Sequence, residues 1–293
     1  MMHESLLRFR GARYFWWALA LTSAALIIYA TPVGWRPRGG GTWQGYTLGT
    51  VGAALVVWLT LLGIRKRRYG STLGSVQGWT SAHVMLGLSL AVVVTLHTGF
   101  QFGWNVHTLA YVFMMLVIAS GVLGLVLYMS APRQLSENAA GQSRQEMFGE
   151  LLAIDGAARD LARRCDPTVA LAVTSSIERT AIGGGALSQL FGTDRSLFQP
   201  AGAAVAGLAS NVDNQSVIDF VAARVPRAAK RIEAESLHEL VALLCRRQAL
   251  LRRIRRDIRL QAWLKIWLYV HIPMTVGLLA ALSVHVLATF MYW

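Results

Sequence analysis

SAHVMLGLSLAVVVTLHTGF, residues 81–100, and LYVHIPMTVGLLAALSVHVL, residues 268–287, decide the fold of this chain. Each is an apolar run holding two histidines fourteen residues apart: His83 and His97 in the first, His271 and His285 in the second. An α-helix turns about 100° per residue, so fourteen residues make nearly four whole turns. Both histidines of a pair therefore share one helix face, roughly 21 Å apart at 1.5 Å per residue. The hydrocarbon core of a bilayer is about 30 Å thick, so each helix offers one imidazole towards each membrane surface.

Around these runs the composition is that of a membrane protein. Hydrophobic residues make up 54% of the 293, and charged residues only 15%. Five apolar segments approach or exceed the length of about 20 residues that spans a bilayer: 14–30, 47–64, 81–100, 108–129 and 263–292. The first has basic residues before it and small ones after it, like a secretory signal, but is expected to be a retained span. Fourteen of the fifteen acidic residues lie between Glu137 and Asp257. That interval must face water. The organisation expected is a membrane region over residues 1–129, a mostly helical polar insert over 130–262 and a fifth span over 263–293.

Within the insert, apolar residues recur at helical spacing over Gln145–Arg164, Val217–Val225 and Ala234–Leu260, and the last can run straight into the fifth span. The run AIGGG, Ala181–Gly185, reads as a turn, because neither GxGxxG nor a Walker pattern surrounds it. Arg195–Asn214 reads as a loop. The insert's last helix carries Arg246, Arg247, Arg252, Arg253, Arg255, Arg256 and Arg259. These are expected to anchor on anionic lipid, with an acidic docking partner as the alternative. The net charge of +13 belongs to the positive-inside rule and not to nucleic acid, because no nucleic-acid-binding motif accompanies it.

Lysine and arginine in the short loops set the orientation. Arg8, Arg10 and Arg13 precede the first span, and Arg65, Lys66, Arg67 and Arg68 follow the second. The loop between the first two spans has only Arg36 and Arg38, and Gln101–His107 has neither lysine nor arginine. The N-terminus, the Arg65–Trp79 loop and the insert are thus expected to be cytoplasmic, with the C-terminus on the outer side of a bacterial inner membrane. The third and fifth spans then run parallel. His83 and His271 share the cytoplasmic level, and His97 and His285 the outer one. Tryptophans 16, 17, 35, 43, 79, 104, 263, 267 and 293 gather near segment ends as an aromatic belt.

Two facing pairs of imidazoles at matched depths suit two haems stacked across the membrane, each iron with two axial histidines. Gly49 and Gly63, also fourteen apart on the second span, would give a flat macrocycle room. Gly87, Ala281, Gly121 and Gly124 are further small residues on the spans. Cys165 and Cys245 are the chain's two cysteines, and no CxxCH is present. Haem is therefore expected to be non-covalent haem b, and the cysteines reduced and structural.

The H-x13-H pattern on two helices resembles cytochrome b of the cytochrome bc complexes, and the Gly49/Gly63 interval is similar to the glycines flanking haem there. The resemblance covers the third and fifth spans and part of the second. It lacks a PEWY-like quinol-oxidation motif and does not reach the insert, so the wider group of bacterial cytochrome b membrane subunits fits as well. It implies an all-α polytopic membrane protein with a haem-binding four-helix bundle. It also implies an electron-transfer subunit of a respiratory or photosynthetic-type oxidoreductase complex. Its partners would be a quinone and other subunits, such as a periplasmic cytochrome or iron–sulfur protein. Gln101, Trp104, Asn105 and His107, in the outer loop, are the candidate quinone or partner contacts, although a role-free surface His107 is an equal expectation. Two rival classes are a haem-handling or export protein and a histidine-lined metal or proton transporter. The first would show a WWD run, and the second carboxylates within the spans; the sequence has neither.

Overall fold

The computed structural model describes residues 9–32, 38–68, 70, 72–139, 142–200, 207–228 and 230–291. Arg8, Trp35, Arg36 and Trp293 of the sequence reading lie outside them. The fold is almost entirely helical. Five helices are long and apolar enough to cross a membrane: α1 (Phe9–Ala30), α2 (Trp43–Arg67), α3 (Val76–Thr98), α4 (Val106–Ala139) and α9 (Arg231–Met291). Their outward faces expose large apolar side chains, Ile27, Val57, Leu116, Val126, Val276 and Leu287 among them. Such a surface is stable in lipid rather than in water.

The helix ends follow from capping chemistry. Thr42 and Ser75 cap α2 and α3 by accepting from the N–H groups of Gly45 and Gly78. Each satisfies a donor that the helix itself cannot. Gly99, in the left-handed conformation, closes α3. A Cβ there would also strike the Arg38 carbonyl. Asn105 starts α4, its side-chain oxygen accepting from Thr108 N–H at 2.9 Å.

The chain divides into two compact units, residues 1–126 with 267–293 and residues 127–266. In the first, α1, α2 and α3 pack through Ala25, Leu48, Val93 and Leu96. A second cluster joins α2, α3, α4 and α9 through Val56, Leu59, Leu90, Met114 and Leu278. Pro273 sits inside α9, where it has no N–H to offer the preceding turn.

The second unit holds α5 (Arg144–Ala162), α6 (Pro167–Glu178), α7 (Ala186–Phe191), α8 (Gln215–Ala222) and the N-terminal part of α9. A two-residue antiparallel pair, β1 (Leu197–Phe198) and β2 (Ala209–Ser210), completes it. Helix α5 begins with a capping box between Ser143 and Glu146, and α6 with Asp166 followed by Pro167. Its cores are Val169, Val173, Val217, Val221, Leu240 and neighbours, and Met147, Leu151 and Ile154 against Leu250, Leu251 and Ile254. The stretch read as a loop, Arg195–Asn214, contains both short strands.

The arginines of α9 do not form one lipid-facing stripe. Arg247 is only 1% exposed and pairs with Asp155 at 2.5 Å. Arg246 pairs with Glu150 at 2.6 Å, Arg255 with Asp194 at 2.7 Å, and Arg252 with Asp213. These cations tie the insert's own elements to α9, because the helix presents them all round its circumference. Asp194 shows the effect on an acid: burial pushes its carboxyl up, but bonds from Ser196 and from Asp213 N–H, together with Arg255, hold it below the usual carboxylate range.

Candidate haem site

Helix α2 sets the orientation of both α3 histidines. His83 Nδ1 lies 3.0 Å from the Leu59 carbonyl, and His97 Nδ1 lies 2.7 Å from the Gly45 carbonyl. Gly45 and Leu59 are themselves fourteen residues apart, so two antiparallel helices with one interval meet in register. A carbonyl can only accept, which fixes the proton on Nδ1 and leaves Nε2 as the free lone pair. Such an outer-shell bond is what orients a metal-bound imidazole.

The α9 histidines are also engaged at Nδ1. His271 Nδ1 bonds the Ser120 hydroxyl at 2.7 Å. Trp267 supports it from one turn earlier, its ring 5.5 Å from that of His271 and its Nε1–H donating to the Ser120 carbonyl at 2.7 Å. Gly124 is required here, because a Cβ would overlap the Trp267 indole. Trp267 thus belongs to the histidine site as much as to an aromatic belt. His285 Nδ1 bonds Nδ1 of His107. His107 is therefore no idle surface residue.

The His97 and His285 rings are neighbours, with centroids 6.0 Å apart and planes at 88°. Metal–imidazole bonds are about 2 Å long, so two imidazoles on one ion have centroids roughly 6 Å apart. Both rings line a cavity of about 1790 Å³ with Gly49, Met114, Leu278 and Leu282. That is well above the roughly 300–1,000 Å³ of an ordinary small-molecule site. Gly49 lies under His97: a Cβ there would come within 2.7 Å of Cε1. Gly63 meets no atom within 4 Å.

A layered order emerges. His97, His285, His107 and Gly49 form one level, and His83, His271, Gly121 and Gly63 the other. Midway on the four helices stand Leu90, Leu278, Met114 and Val56, all buried. Each lies seven residues from its neighbours above and below. The sequence reading found this interval on α2, α3 and α9. It missed it between His107 and Gly121 on α4, and in Thr275 and Thr289, each of which bonds the carbonyl of the histidine four residues earlier.

The residues of the 101–107 loop divide. Gln101, Asn105 and His107 line the cavity, and Gln101 Nε2 donates to the Arg38 carbonyl at 3.0 Å. Trp104 is fully exposed and outside the lining. Among the described residues no group of three or more His, Cys, Asp or Glu gathers as a metal-ion site. A haem iron asks the protein for only two axial ligands. No family model, no curated protein and no solved structure matches the chain.

Proposed function

We propose that this chain is a diheme membrane cytochrome b, the electron-transfer subunit of an oxidoreductase complex in a bacterial inner membrane. The observation that carries the reading is the outer pair. Two imidazoles stand with centroids 6.0 Å apart on the wall of a large cavity, each with its Nδ1 already bonded. A transporter histidine has no need of such pairing.

In this reading His97 and His285 hold one non-covalent haem b, and His83 and His271 the other. Bound haem supplies one-electron chemistry. The chain's own residues fix the rest. The carbonyls of Gly45 and Leu59, the Ser120 hydroxyl and His107 orient the four rings. Gly49 leaves room for the Cε1–Nδ1 edge of the His97 ring against α2. The apolar layer of Val56, Leu90, Met114 and Leu278 keeps water from the space between the sites. The fully exposed Trp104 and the cavity-lining Gln101, Asn105 and His107 offer a quinone or a partner subunit an approach to the outer site. The insert lacks any dinucleotide or metal signature, so it serves as scaffold or docking surface.

A pyridine haemochrome assay on the purified chain should return about two haems per polypeptide, one for each axial histidine pair. His97→Ala or His285→Ala should remove the outer haem, and His83→Ala or His271→Ala the inner one. A purified chain with no haem, or one whose haem survives all four substitutions, overturns the reading.

A further inference from the structure

Helix α7 buries none of its six residues, yet four of them are apolar. Leu187 and Phe191 are 70% and 69% exposed, and being four apart they share one face. Water is a poor solvent for such a pair on a helix tethered at both ends. The tethers are specific. Before α7, the Ala181 carbonyl accepts from Arg255 at 2.8 Å. After it, Gly192 lies against Arg259, and Asp194 pairs with Arg255 at 2.7 Å. Residues 181–194 are thus pinned to one stretch of α9, Arg255–Arg259.

That stretch ends one turn before Trp263, which is exposed and opens the apolar part of α9. Four residues amount to roughly 6 Å along a helix. An interfacial helix sinks about 5–10 Å into the headgroup boundary, so an element held at Arg259 falls within that layer. Arg195, four residues after Phe191, and Arg259, which lies against Gly192, are both exposed. Apolar side chains flanked by arginines match an anionic lipid surface.

We propose that α7 is a membrane-surface foot: Leu187 and Phe191 enter the lipid headgroup layer, and Arg195 and Arg259 meet anionic headgroups. The proposal rests on α9 crossing the membrane from about Trp263 onward and not on haem. It makes the bilayer, rather than a protein partner, the occupant of the insert's exposed apolar face.

The test uses the full chain in vesicles of phosphatidylglycerol and phosphatidylcholine, with Cys165→Ser and Cys245→Ser. A fluorophore is placed by Leu187→Cys or, separately, Phe191→Cys. Val276→Cys marks the span, and Glu235→Cys marks water. Quenching by brominated lipid at both α7 positions should exceed that at Glu235→Cys by about threefold or more, as for an interfacial helix. Iodide quenching should fall correspondingly. Iodide quenching equal to that of Glu235→Cys overturns the proposal, as does protection from both quenchers, which would mean a protein partner. If Val276→Cys itself escapes the lipid quencher, the span is wrong and the foot falls with it.

Discussion

At position 49 the question of a methyl group decides whether His97 keeps its place. The ring lies so close over Gly49 that an alanine Cβ would come within 2.7 Å of Cε1 and 2.9 Å of Nδ1. Forcing atoms into a packed site costs about 1–3 kcal/mol. Here the cost falls on the hydrogen bond that aims the imidazole. Gly49→Ala should therefore reduce bound haem from two to about one per chain, with the outer site lost, since outer-shell changes weaken metal sites about 10–100-fold. Gly63→Ala is the matched control. Nothing lies within 4 Å of its Cβ, so the methyl displaces no histidine, and Gly63→Ala should lose less haem than Gly49→Ala. Haemochrome assays on the pair make the comparison, and equal loss from both variants would mean that helix packing, not His97, is what the glycines serve. The sequence showed the interval that these two glycines share but not their inequality. Equal spacing says which face a residue occupies, whereas clearance depends on how closely the partner helix approaches at that level. Likewise, nothing in the side-chain pattern could point to the Gly45 and Leu59 carbonyls, because every residue carries one.

At the scale of elements, the five spans were legible because bilayer thickness and hydropathy leave little choice. Their ends were not, since those rest on caps such as Thr42, Ser75 and Asn105. The Asp166–Pro167 start of α6 is a readable signal that the sequence analysis passed over, because the helix it opens is short and its apolar residues are not confined to one stripe. The arginines of α9 were read as one face, yet Arg247 points inward from α9 to Asp155 on α5. It also donates to Thr180 at 3.1 Å. Removing one partner of a buried ion pair strands the other, at about 3–5 kcal/mol, whereas replacing both by apolar residues is often neutral. Arg247→Met should thus lower the thermal midpoint of the detergent-solubilised protein and open the insert to limited proteolysis. Adding Asp155→Leu should restore most of the loss. If the double variant is no better than the single one, the pair is not what holds α5 to α9.

For the whole molecule, charge distribution and depth must agree with one orientation. Lys66 and Arg67 lie in the last turn of α2 and Arg68 follows it, whereas the 101–107 loop has no lysine or arginine. The positive-inside rule weighs such short loops most heavily. With α3 and α9 running in the same direction, the proposed orientation puts His97, His285 and Trp104 at the outer level and the insert in the cytoplasm. Two positions report the two sides. Cys245 is exposed on the insert, and Trp104 is fully exposed in the outer loop. In intact cells an impermeant maleimide should leave Cys245 unlabelled until the membrane is permeabilised. Trp104→Cys, in a Cys165→Ser, Cys245→Ser background, should label at once. The reverse pattern would put the insert outside and the three-histidine level at the cytoplasmic surface. Electrons reaching that level would then come from a cytoplasmic donor, and the proposed periplasmic partner would have no site to meet.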